Sequence, residues 1–541
     1  MRRFIVIVVS LVVLGTLVDA RKPFSVVEAT IPQLRTAMER HDVTSHEIVQ
    51  QYLTRIALYE NTLNATIAVN PRALEEADAR DRERAQGKIR GPLHGIPIAL
   101  KDNIHTIDMP TTGGALAFDG FIPPYEATLT KNLRDAGAII IAKTVMTELA
   151  NYIAVAMPAN YSALGGYGFN PYDPRRDPMG DGRPVLATGG SSSGIGTAAS
   201  FWAANVGTET SGSILSPANQ TMLVGIKPTV GRISRYGIIP ITADQDTAGP
   251  LARTVRDAAI VLGVLESSRP DPHDAATVTC PRPPNGDYTR VLNAGALKGA
   301  RIGIPRRSFY DGLESPQASV MSDAIAVLKR QGAVFIDPAE IPSVVTTAPG
   351  ENFLAFPRCG ASWKDSDCSV VFNYGMKRDF NAWLASLGPS APVKTLAELR
   401  EWNTAHQRLG ALKYGQELLD ASDSMDLDAD RRRYEDDRAK DVRLSATRGI
   451  DAIMKSETLD ALLFPGGGGA AIAAKAGYPT VIVPFGFVPN TPSPPFPPNF
   501  NPKSAPFGVS FTGMACSEPR LIALAYAFEQ ATKRRVPPPL P

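Results

Sequence analysis

Three short stretches carry residue types that could do chemistry together. Lys101 follows the apolar run Gly95-Ile96-Pro97-Ile98-Ala99-Leu100 and precedes Asp102-Asn103. Ser191 lies in Thr188-Gly189-Gly190-Ser191-Ser192-Ser193-Gly194, and Ser213 in Gly207-Thr208-Glu209-Thr210-Ser211-Gly212-Ser213-Ile214. A serine hydroxyl is a weak nucleophile until a positioned base takes its proton. Lysine can be that base only as a free amine, so its pKa of ~10.4 has to fall through burial. A hydroxyl both donates and accepts, so one serine can relay a proton between another serine and a lysine. Taken singly, each stretch is weak: a lysine after a strand is usually solvated or ion-paired, and Gly/Ser runs are mostly loops. Other chemistries are poorly supported. G-x-x-x-x-G-K-[ST] is absent; Gly190–Gly194 matches G-x-S-x-G around Ser192, but no serine has convincing His and Asp partners in a chain with six His, and no C-x-x-C spacing offers a zinc site.

In this order the segments resemble the amidase signature family, whose serine hydrolases use a Ser-cisSer-Lys triad. Asp246-Thr247-Ala248-Gly249-Pro250 and Lys475-Ala476-Gly477-Tyr478-Pro479 extend the likeness over nearly the whole mature chain. The resemblance implies Lys101 as general base, Ser191 as the serine after a cis peptide bond, and Ser213 as nucleophile. The small residues Ser211 and Gly212 would let backbone N–H groups from Thr210 to Ser213 converge on the carbonyl oxygen as an oxyanion hole. Ser192 and Ser193 read as structural donors, and His105 as packing. The resemblance also implies the amidase signature fold, a three-layer α/β/α architecture with a large mixed, mostly parallel central sheet. It implies no cofactor and no metal. The expected partner is a small-molecule or peptide amide.

Two departures from the family pattern matter. Ser191 and Ser213 are 22 positions apart, two fewer than is usual, which raises a non-catalytic amide- or peptide-binding relative as an alternative. Leu215 stands where the A-type subunit of the glutamine-dependent tRNA amidotransferase usually carries an Arg suited to a carboxylate. That A-type subunit is therefore the second alternative, and the stand-alone amidases, including peptide amidases, are the better match.

These residues need elements to hold them. Thr44-Ser45-His46-Glu47 has the form of a capping box, and Ile48, Tyr52, Ile56 and Tyr59 share a face, which predicts a helix over 44–60. Further helices are expected over 72–85, 127–136, 316–331, 393–418, 427–455 and 517–532. Buried strands are expected at 95–100, 138–142, 301–304, 461–464 and 480–484. Strands alternating with helices imply a mostly parallel sheet covered on both faces. The Pro-rich stretch 489–502 reads as a loop, because proline lacks a donor and fixes φ. The acyl pocket is expected from segments distant from the serines, around 151–185, 351–380 and 484–505.

The chain has 541 residues, and 56 basic against 54 acidic side chains leave a formal charge of +2. That balance calls for no nucleic acid, and 44% hydrophobic residues suffice for a large core. Residues 1–20 read as a signal peptide: Arg2 and Arg3 precede an apolar stretch, and Val18-Asp19-Ala20 ends small-x-small. Cleavage near Ala20 would export residues 21–541 as one domain, with the signature core at about 90–260. No later stretch is long and apolar enough to span a membrane. In an oxidising compartment Cys359 and Cys368 are close enough in sequence to close a small loop.

Overall fold

A computed structural model describes residues 24–178, 180–492 and 495–540. The segment read as a signal peptide lies outside the described residues. The first long helix, Ser45–Leu63, begins at the expected place: the Thr44 hydroxyl accepts from the Glu47 N–H, and the Glu47 carboxylate accepts from the Thr44 N–H at 2.8 Å. The predicted runs form β2 (Pro97–Lys101), β3 (Ile139–Thr144), β7 (Arg301–Gly303), β9 (Ala461–Pro465) and β10 (Thr480–Val488). Six more strands complete one sheet: β1 (Thr66–Val69), β4 (Ala204–Glu209), β5 (Val224–Lys227), β6 (Thr247–Ala252), β8 (Val334–Ile336) and β11 (Ala505–Thr512).

The eleven strands run in the order β1-β3-β2-β4-β6-β5-β10-β11-β9-β7-β8. The sheet is mixed. Strands β3, β2 and β4 are mutually parallel, as are β9, β7 and β8, while the pairings from β4 through β6, β5, β10 and β11 to β9 are antiparallel. The parallel character read from strand–helix alternation thus belongs to the two flanks. In the middle, β5–β6 and β10–β11 are consecutive strands joined without a helix, which antiparallel pairing permits, while short helices Leu215–Gln220 and Ala470–Ala476 lead into β5 and β10.

Both faces of the sheet are covered. Along β9, Ala461 and Leu463 enter the main core while Leu462 and Phe464 enter a second cluster. Along β10, Val481 and Val483 face one way and Ile482 the other. Successive side chains of a strand point to opposite faces, so apolar residues in both phases require helices on both sides. Helices Val255–Leu265, Ser315–Arg330 and Glu518–Thr532 supply much of one layer.

Two helical expectations change in detail. The segment 393–418 is not one helix: Leu396–Ala405 and Glu417–Asp423 are separated where Gly410 takes φ +96°, a conformation that ends an α-helix. The segment 427–455 runs from Arg431 to Ser456 with a π-helical stretch at Arg443–Ile450. Helix Val371–Ser386 has no side-chain cap at its start, so no boundary signal marks it in the sequence. Two disulfides are present, the anticipated Cys359–Cys368 and Cys280–Cys516, which joins residues 236 positions apart.

Candidate active site

Lys101 is the last residue of β2, a strand buried at every position. The side chain is wholly buried, with Nζ 2.7 Å from Ser191 Oγ, 2.8 Å from Thr208 Oγ1 and 3.4 Å from the Thr208 carbonyl oxygen. Thr208 belongs to β4, which pairs in parallel with β2, so the sheet itself sets this geometry. As an ammonium, Lys101 donates to all three oxygens. As a free amine it keeps both Thr208 oxygens as acceptors and turns its lone pair toward the Ser191 hydroxyl. Burial lowers the Lys101 pKa from 10.5 to about 7, against the opposing pull of the Asp246 and Glu209 charges. At neutral pH a large share of Lys101 is therefore free base.

The Ser191 loop is pinned at both ends. Gly189 takes φ +81°, and a Cβ there would lie 2.4 Å from the Pro217 nitrogen. At Gly190 a Cβ would lie 2.9 Å from Ser213 Cα, and the Ser192 N–H donates to the Ser213 carbonyl at 3.2 Å. Ser192 Oγ donates to the Thr208 carbonyl at 3.0 Å and accepts from its N–H at 3.1 Å, the structural role expected of it. The peptide bond before Ser191, expected to be cis, is trans: Asp337–Pro338 is the only cis peptide among the described residues. Between the two serine loops the chain forms one short helix, Ile195–Ala198. The two serine loops remain in contact.

Ser213 is 8% exposed, nearly buried yet reachable. Gly212 before it takes φ +85°, and the N–H groups of Ser211, Gly212 and Ser213 take no hydrogen-bond partner among the described residues. Uncommitted donors beside a nucleophile suit a developing oxyanion. Flanking groups hold this turn. Glu209 Oε2 accepts from the N–H groups of Ile214 at 2.6 Å and Leu215 at 3.0 Å, and Thr210 donates its hydroxyl to Asp246 while its carbonyl accepts from Gln245 Nε2 at 3.1 Å. A carboxylate at the start of helix Leu215–Gln220 is also favoured by the helix dipole.

His105 is no base. It is buried between the rings of Tyr125 and Trp383, with Nε2 accepting from Trp383 Nε1 at 2.9 Å. Burial and the nearby Lys143 charge lower its pKa to about 3. Asp102 turns away from Lys101 and pairs with buried Lys143 at 3.3 Å. Sequence reasoning missed Thr208 and Asn103, whose Nδ2 donates to Thr208 Oγ1 at 3.1 Å. Their only signal is that Thr208 lies near the end of β4 and Asn103 just beyond the end of β2, two buried strands that pair side by side.

A family model described as Amidase matches residues 47–522. The chain belongs to the amidase family. This amidase is 34% identical over 520 residues to a "Probable amidase" of Arabidopsis thaliana, covering 95% of this chain and 92% of that protein. It is 32% identical over 521 residues to the A-type subunit of the glutamyl-tRNA(Gln) amidotransferase of Thermosynechococcus vestitus, covering 93% and 98% respectively. The crystal structure of the native peptide amidase from Stenotrophomonas maltophilia superposes with a TM-score of 0.80 at 37% identity, over 94% of this chain and 98% of that one. Amide hydrolysis fits the amidase better than an amidotransferase role. Leu215 is fully buried with Ile214, Ala218 and Leu251, so an apolar contact occupies the position that suits a carboxylate-binding Arg in the alternative.

Proposed function

We propose that this amidase cleaves a small-molecule or peptide amide through a seryl acyl-enzyme, with Ser213 as nucleophile, Ser191 as proton relay and Lys101 as base. The observation that carries the reading is the buried Lys101–Ser191 hydrogen bond of 2.7 Å, backed against the loop of Ser213. Ser213 Oγ bonds to the carbonyl carbon while its proton passes to Ser191 Oγ, whose own proton goes to Lys101. The oxyanion is met by the N–H groups of Ser211, Gly212 and Ser213, with Thr210 fixing the turn. As the C–N bond breaks, the proton returns through Ser191 to the departing nitrogen, which leaves as ammonia or an amine. Water then attacks the ester along the same route, giving the acid and free Ser213. The likeness to a peptide amidase supports a peptide carboxamide among the candidate substrates.

The test is labelling of the purified chain by a fluorophosphonate, with turnover of a panel of aryl, fatty and peptide amides, carbamates and esters. Labelling at Ser213, lost in Ser213→Ala together with turnover, is expected. A folded wild-type chain that neither labels nor turns over any amide would leave the non-catalytic binding role in its place.

We further propose that the chain is exported after cleavage near Ala20. Two disulfides support this, because such bonds persist in oxidising compartments. Cell fractionation with mass measurement of the mature N-terminus tests it. An intact Met1 on reduced, cytosolic protein would refute it.

A further inference from the structure

Thr208, the second partner of Lys101, also lines a small cavity with Asn103, Thr210, Arg235 and Asp246. The cavity offers about 10 Å³ to a water centre, room for one molecule. Its polar walls are incompletely bonded. Asn103 is 2% exposed and its Oδ1 takes no partner among the described residues, while its amide donates to Thr208 Oγ1 and to the Ile239 carbonyl. Thr208 Oγ1 receives hydrogens from both Lys101 and Asn103. Both of its lone pairs are then engaged, and its own O–H must point elsewhere. Asp246 receives the Thr210 hydroxyl on Oδ1 and the N–H groups of Ile241 at 2.9 Å and Thr242 at 3.0 Å on Oδ2. A carboxylate has about four acceptor positions, so one remains. Asp246, Arg235 and Ile238 also line a larger outer pocket of about 360 Å³.

We propose that the cavity is a buried-water site and that Asp246 is a positioning residue for Lys101. One water accepts the Thr208 hydroxyl hydrogen and donates to Asn103 Oδ1 and Asp246, a set of three bonds typical of an internal water. This inference rests on the reading of Lys101 as the base. It explains how a buried lysine becomes neutral without using the substrate cleft. An N–H bond of the Lys101 ammonium breaks as an O–H forms at Thr208, the Thr208 hydrogen passes to the water and a water hydrogen to Asp246; rotation of the amine and of the Thr208 hydroxyl then turns the lone pair to Ser191. The net change is an ammonium and a carboxylate becoming an amine and a carboxylic acid.

Burial raises the Asp246 carboxyl and lowers the Lys101 ammonium, so both shifts favour the neutral form of the pair. The other charged neighbours have partners of their own. Glu209 faces Lys101 and also Lys227. Arg235 is held by Asp274, and Asp379 by Arg378.

Two measurements test this. A crystal structure that resolves ordered waters is expected to show one within hydrogen-bond distance of Asn103 Oδ1, Thr208 Oγ1 and Asp246; a dry cavity would overturn the proposal. In Asp246→Asn the carboxylate that favours the ammonium is gone. The acid limb of kcat/KM is then expected to move to lower pH by at least about one pH unit, and Asp246→Glu is expected to restore it. A limb that stays in place, with activity reduced equally at every pH, would make Asp246 merely structural. If Asp246→Asn does not fold, the wild-type water remains decisive. The wild-type chain is assayed alongside: its failure to turn over any amide would overturn the catalytic reading itself, whereas turnover with an unmoved limb overturns only the relay.

Discussion

Replacing Lys101 with methionine is expected to abolish activity and make the protein more stable. The fall in pKa from 10.5 to about 7 means the fold holds this group against a penalty of roughly 5 kcal/mol. Below about pH 7 the ammonium is charged in folded and unfolded chains alike, and the full penalty stands. Between about 7 and 10.5 the unfolded chain still holds the proton that the folded chain has released, so the penalty shrinks as pH rises and vanishes above that range. Methionine has a similar length and no charge, so Lys101→Met removes the penalty. It also leaves Ser191 and Thr208 without the amine they contact at 2.7 and 2.8 Å, a loss of ~1–3 kcal/mol. The net gain is ~2 kcal/mol or more near pH 7, falling to nothing or reversing near pH 10. Equilibrium urea unfolding of both chains at these two pH values measures it. A variant less stable than wild type near neutrality, or a stability difference independent of pH, would refute the reasoning.

Further outcomes follow from the same geometry. Activity of the wild type is expected to rise through about pH 7 as Lys101 loses its proton, read from the acid limb of kcat/KM; a limb near pH 10 would contradict it. Thr208→Val keeps the shape but removes an acceptor that aims the Lys101 lone pair, and should lower kcat ~10²-fold with little change in KM. Glu209→Gln weakens the brace on the Ile214 and Leu215 N–H groups; a fall in kcat of roughly tenfold or more is expected in steady-state assays. Removing Cys280–Cys516, which closes a separation of 236 residues, should destabilise by about 5 kcal/mol on the chain-entropy model, and removing Cys359–Cys368, with a separation of 9, by about 3. Denaturant midpoints of Cys280→Ser/Cys516→Ser and Cys359→Ser/Cys368→Ser compare the two.

Much of the frame was legible because local signals agreed. The capping box of Thr44 and Glu47 marked a helix start, and uninterrupted apolar runs marked β2, β3, β9 and β10. Short strands such as β1 and β8 were not legible: Val334 is 45% exposed, and an edge strand without strict burial carries little pattern. The long expected helix over 393–418 failed where glycine conformation overrode apolar periodicity. At the site, the positions of Lys101, Ser191 and Ser213 came from motif order. The trans bond before Ser191 did not, because the backbone route through a Gly-Gly-Ser turn depends on what packs beside it, here Pro217 and Ser213.

The sequence by itself determined residue types and their order: a lysine at the end of a buried strand, two serines in glycine-rich turns, and an apolar Leu215 after the second. Such information lives in local chemistry. Only the tertiary structure decided that Thr208, 107 positions from Lys101, shares its amine with Ser191, that Glu209 and Asp246 hold the turn of Ser213, and that His105 is buried between Tyr125 and Trp383. The physical reason is that a pKa or a hydrogen bond depends on what surrounds a group in space. Strands β2 and β4 become neighbours only when the sheet forms.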